Sequence, residues 1–157
     1  MLKIKKYNMS FIVKFATKWS DFDPNNHMRH TAYNDYAAEV RIRYFAENNF
    51  SIKKFNKHNI GPVLFTEETS FRKEIHLGEN ITVDIKIAGL SKNNDRWKIV
   101  HQIFNEEGKL SAIIKVYGAW IDIGKRKSTS LPNEAGGLFL NAEKTQDYEV
   151  IPLKRTH

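Results

Sequence analysis

A change of hydrophobic period constrains this chain more than any other feature. Between residues 31 and 47, Tyr33, Tyr36, Ala37, Val40 and Tyr44 recur at helical spacing, while Asn34, Asp35, Glu39, Arg43 and Glu47 fall on the other side. The spacing predicts one long amphipathic helix, with Thr31 as its N-cap and Asn48-Asn49 as its stop. A short helical turn is expected over 51–58, ended near Gly61-Pro62. From residue 63 the pattern is that of strands: 63–73, 81–90, 97–105 and 110–122 are rich in β-branched and aromatic residues. The polar breaks 91–95 and 106–109 are short enough for antiparallel hairpins. An earlier segment, 11–19, places Phe11, Val13 and Phe15 on one face and reads as a first strand. Strand, helix, then four strands is most simply an α+β domain, one helix packed on an antiparallel sheet. After residue 125 the pattern weakens. Pro132-Asn133-Glu134 open a short helix, and the last residues are expected to be loosely held.

Composition excludes several other classes. With 41% hydrophobic and 12% aromatic residues, 157 residues can bury a real core, so disorder and coiled coil are poor readings, and residues 1–157 are expected to form a single domain. The absence of cysteine removes disulfides, thiol nucleophiles and Cys-based zinc sites, and is compatible with a reducing, cytoplasmic setting. No apolar run is long enough for a signal peptide or a membrane span. The net charge of +7 favours an anionic partner, but the basic residues are scattered among eighteen acidic ones. No helix-turn-helix, zinc finger or RNA-binding aromatic pair accompanies them, so nucleic acid is not expected.

The densest group of reactive side chains is Asp21, Asp23, His27 and His30, between the first strand and the main helix. A plain turn uses the same residue types, because Asp, Pro and Asn satisfy free backbone N–H groups. The chemical reading is more specific. A helix N-terminus presents unpaired N–H donors and partial positive charge, which can hold a thioester carbonyl oxygen as it becomes an oxyanion. A carboxylate just upstream, Asp23, could attack that carbonyl or take a proton from water, with His30 or Thr31 supplying the backbone donor. Asp23, His27 and His30 could also be weighed as a two-His, one-carboxylate metal set, but their loop spacing is not rigid, and no metal is expected. There is no G-x-S-x-G elbow, P-loop or dinucleotide fingerprint.

The run from Trp19 to Tyr36, with Asp21-Phe22-Asp23, a short polar turn, His27 and an early helical Tyr33, resembles the signature of hotdog-fold thioesterases of the 4-hydroxybenzoyl-CoA thioesterase-like group. The strand–helix–four-strand order and the Gly118-Ala119-Trp120-Ile121-Asp122 strand end extend the resemblance over roughly residues 10–132, with 133–157 as a C-terminal extension. It implies a five-stranded antiparallel sheet wrapped around one long helix. It also implies hydrolysis of an acyl-CoA to a free acid and coenzyme A, with no separate cofactor. Asp23 would be the catalytic carboxylate, the amide at His30 the polarising group, and His27 and Tyr33 would match family positions near the substrate. Asn26 stands where many members have Gly, and His30 where many have Asn or Tyr. A homodimer or homotetramer is implied, with Glu67 and Glu68 facing a partner's Asp23, or simply forming a solvated strand edge. Arg72, Lys73, Lys125, Arg126 and Lys127 would form a basic rim for coenzyme A phosphates. Two other uses of the fold remain: a non-catalytic acyl-CoA binder, and an enoyl-CoA hydratase, whose motif has one residue fewer before its His.

Overall fold

The computed structural model describes residues 10–152. Its elements are β1 (Phe11–Phe15), α1 (His30–Glu47), α2 (Ile52–His58), β2 (Ile60–Phe71), β3 (Ile81–Ser91), β4 (Arg96–Phe104), β5 (Leu110–Asp122), β6 (Lys127–Ser128), α3 (Gly137–Leu140) and β7 (Lys144–Ile151). The central path of the sheet runs β1-β3-β4-β5-β2 with every pairing antiparallel. This is the hotdog arrangement, α1 lying against one face of a curled sheet. Among the described residues, no helix is long and apolar enough to cross a membrane.

The helix forms where its period requires. Tyr33, Ala37, Val40 and Tyr44, at i, i+4, i+7 and i+11, are all buried and meet Ile85, Ile87, Ile99 and Ile114 in one core. The short Ala37 lets the sheet approach, and Phe45, Phe50 and Phe55 close the far end around the buried Trp120. Gly118 is required by close approach. A Cβ there would press into the carbonyl oxygen of Val63 and the indole of Trp97.

One polar pair lies inside this core. Arg41 is 7% exposed and His101 fully buried, with Arg41 Nη1 3.2 Å from His101 Nε2. His101 Nδ1 lies 2.7 Å from the carbonyl oxygen of Asp84, which can only accept, so Nδ1 carries the proton and Nε2 accepts from Arg41. Burial, and then the Arg41 charge, push the His101 pKa down to about 3. The ring is therefore neutral.

Three details depart from the sequence reading. The N-cap is Arg29 rather than Thr31, because Arg29 is extended and its N–H is taken by the Asp21 carbonyl at 2.7 Å; Thr31 Oγ1 instead accepts from Arg29 Nη1 at 3.0 Å. The first strand stops at Phe15, and Trp19–Asp21 form a 3-10 turn. Within the described residues, the segment after residue 140 is held in the sheet: β7 pairs parallel with the second half of β3 (Leu90↔Val150, Ser91↔Ile151), in line with β1, which occupies the first half. Short alternating segments with charges on the open side, such as 144–151, give a weak strand signal. Residues 153–157, including His157, lie outside the described residues.

Candidate active site

The two aspartates of the Asp21-Phe22-Asp23 motif do different work. Asp21 is 4% exposed and serves as a structural anchor. Its carboxylate accepts the Lys18 N–H at 3.0 Å and the Tyr36 hydroxyl, while its carbonyl takes the Arg29 N–H. Burial, then the hydrogen bond and charge of Asp21, raise the Tyr36 pKa, so the phenol stays protonated and donating. Asp21 thus ties the loop to the second turn of α1.

Asp23 begins a tight hairpin. Its Oδ1 accepts the N–H groups of Asn25 at 2.9 Å and His27 at 3.1 Å, and its own N–H donates to the His27 carbonyl at 2.8 Å. Asn26 occupies the left-handed region at φ 64, a conformation that Gly or Asn adopts most readily, which explains why Asn can replace the Gly seen in the resembling motif. A bridge between Phe22 and Met28 closes the hairpin. One carboxylate oxygen therefore holds the turn, and among the described residues Oδ2 has no hydrogen-bond partner. Asp23 is half-buried and lines a cleft of about 420 Å³ with Trp19, Phe22, Pro24, Asn26 and Leu77.

Three residues after His27, α1 begins. Among the described residues, the N–H groups of His30 and Thr31 have no backbone acceptor, whereas Ala32 donates to the Arg29 carbonyl. His30 and Thr31 are exposed. Tyr33 is buried edge-on against Phe71 with ring centroids 5.1 Å apart. Burial raises its pKa most, the Glu74 charge next, and Asp23 adds a smaller push in the same direction.

Strand β2 runs beside α1 and sorts the two glutamates to opposite faces. Thr69 Oγ1 donates to Asn34 Oδ1 at 2.8 Å, and Phe71 meets Tyr33, so odd positions there face the helix. Glu67 shares that face. Glu68 joins Thr66, Lys98, Lys115 and Tyr117 along a cleft on the outer face. Lys125 and Arg126 belong to the β5–β6 turn, at the end of β2 where Ile60 pairs with Asp122. Within one chain they are eleven residues along β2 from Phe71, on the order of 35 Å of strand, so they lie far from Asp23. Arg72 is exposed just beyond Phe71, its N–H bonded to the Ser111 carbonyl at 2.8 Å.

Of the Asp23, His27 and His30 set, only His27 enters a cluster with ligand spacing among the described residues, and its companions are Glu74 and His76. Neither companion stands out in the sequence, because the 72–79 segment is brought to the hairpin only by tertiary pairing.

The model of the thioesterase-like superfamily matches residues 17–139 of this chain. The chain belongs to that superfamily. No functionally curated protein matches it by sequence. Among solved structures, it is similar to a hypothetical protein from Staphylococcus aureus determined in complex with CoA (TM-score 0.79, 21% identity, 94% of this chain and 90% of that one). It is also similar to a DHNA-CoA thioesterase from Staphylococcus aureus (TM-score 0.71, 20% identity, 78% and 80% covered). A third is a 1,4-dihydroxy-2-naphthoyl-CoA thioesterase from Synechocystis (TM-score 0.74, 16% identity, 84% and 96% covered). At such identities these structures establish the common hotdog fold.

Proposed function

We propose that this superfamily member hydrolyses an acyl-CoA thioester to a free carboxylic acid and coenzyme A. The observation that carries the reading is Asp23 itself: Oδ1 is fixed by two backbone N–H groups, while Oδ2 has no hydrogen-bond partner among the described residues, in the loop that leads into α1. As general base, Oδ2 takes a proton from water, whose oxygen adds to the thioester carbon. As nucleophile, it adds directly and water then cleaves the mixed anhydride. On either path the carbonyl oxygen becomes an oxyanion, and the His30 and Thr31 amides stabilise it with the helix dipole. Collapse of the oxyanion breaks the carbon–sulfur bond and expels the thiolate, which takes the proton held by Asp23 on the general-base path, or one from solvent on the nucleophilic path, to give free coenzyme A. The CoA-bound Staphylococcus neighbour supports a CoA ligand, and the two naphthoyl-type thioesterases support thioester chemistry on this fold.

The functional unit in this reading is a pair of copies joined along β2. That strand is the open edge of the sheet and exposes Leu64, Phe65 and Phe71. Antiparallel pairing of two β2 edges places the Ile60 end of one copy beside the Phe71 end of the other. The partner's Lys125 and Arg126 then approach the first copy's helix N-terminus, where coenzyme A phosphates need cations. The test is thiol release from a panel of acyl-CoA thioesters, with sedimentation to fix the assembly. Turnover by a dimer or tetramer is expected; CoA binding without thiol release would support the non-catalytic reading instead.

A further inference from the structure

We propose a divalent transition-metal site, of the zinc(II) class, formed by His27, Glu74 and His76. It is independent of thioester hydrolysis and rests on how the backbone delivers three ligand types to one point. His27 and His76 form an antiparallel bridge. The Met28 N–H donates to the Ile75 carbonyl and the Leu77 N–H to the Asn26 carbonyl, both at 2.9 Å. That pattern makes His27 and His76 a non-hydrogen-bonded cross-strand pair, the kind whose side chains stand closest. Their ring centroids are 5.2 Å apart.

Glu74 comes from the same extended segment as His76, two residues earlier. The intervening Ile75 is fully buried, which turns Glu74 and His76 outward together. Glu74 Oε2 reaches to 3.2 Å from His27 Nε2. One ligand atom from each of the three side chains falls within 4.8 Å of the others. Atoms bound tetrahedrally to one zinc at about 2.0–2.1 Å are roughly 3.3–3.4 Å apart, so small rotamer changes complete the set. The backbone beneath is already fixed. Asp23 Oδ1 holds the His27 N–H at 3.1 Å, and Glu79 Oε2 holds the His76 N–H at 2.6 Å across the turn at Gly78.

Two imidazoles and one carboxylate are a borderline-soft donor set that suits zinc and leaves a coordination position open. Such an ion would clip the 72–79 segment onto the hairpin that carries Asp23.

The test uses the untagged full chain, stripped with a chelator and titrated with ZnCl2 against a chromophoric competitor. One equivalent is expected to bind. His76→Ala should weaken binding at least about 100-fold and Glu74→Gln about 10-fold, since even outer-shell changes around a metal cost 10–100-fold. His58→Ala should change nothing, and cobalt(II) should give the intense visible bands of a four-coordinate site in the parent protein only. Absence of a stoichiometric site, or equal binding by parent and His76→Ala, overturns the proposal. The readout does not depend on turnover, so a protein that binds zinc without cleaving thioesters, or the reverse, separates the two claims.

Discussion

Replacing Asp21 by Ala removes the acceptor of two hydrogen bonds at once, the Lys18 N–H and the Tyr36 hydroxyl. Hydrogen bonds to a charged group contribute about 1.5–3 kcal/mol each, but deletion also relieves the desolvation of a carboxylate only 4% exposed. A net loss of about 2–3 kcal/mol follows, which for a chain of this size corresponds to roughly 5–10 °C in melting temperature. Tyr36→Phe should cost about 1–1.5 kcal/mol, because it deletes one donor and leaves the carboxylate otherwise held. The double variant should cost less than the sum, with a coupling of about 1 kcal/mol or more between the two positions. Urea unfolding of the four proteins, monitored by circular dichroism, gives the cycle. A coupling of zero, or an Asp21→Ala protein as stable as the parent, would refute the assignment of Asp21 as the anchor between loop and helix.

Two further perturbations probe the core. His101 has its pKa pushed down to about 3 in the folded chain, against about 6.5 unfolded. The unfolded state therefore binds the extra proton first as pH falls below about 6.5, and folding stability drops from there toward pH 3. Urea midpoints across that window should decline, and His101→Gln should flatten the decline; an equal slope in both proteins would count against the neutral, Arg41-bonded ring. Gly118→Val should destabilise by about 1–3 kcal/mol or prevent folding, because its side chain has no room between Val63 and Trp97. A thermal melt unchanged by that substitution would contradict the close approach of β5 to β2.

Periodicity made most of the architecture legible from the residues alone. Helix α1 and strands β2 to β5 fall close to where the 3.6 and alternating patterns change, and the 110–122 strand matches at both ends. What escaped depends on tertiary context. The N-cap shifted to Arg29 because the Asp21 carbonyl captures its N–H, a contact no local window contains. Strand β7 was hidden because its stability comes from lying on β3 rather than from its own composition. Arg41 and His101 stand at inward positions of their periods, in line with Ala37 on α1 and with Ile99 and Ile103 on β4, but their mutual hydrogen bond joins positions sixty residues apart and no local window shows it. At the site, the Asp23 turn could be read directly, because an Asx turn is written in Asp23, Asn25 and Asn26 themselves. Glu74 and His76 could not, since the pairing of 72–79 with the hairpin is a long-range event.

The most direct test is thioester turnover by the parent and by Asp23→Asn. The amide keeps an oxygen to accept the Asn25 and His27 N–H groups, so the turn should persist and the melting temperature should hold. It can neither take up a proton nor attack, so kcat should fall about 10²–10⁴-fold across every acyl-CoA that the parent cleaves. A folded Asp23→Asn protein that releases coenzyme A at the parent's rate would contradict the account.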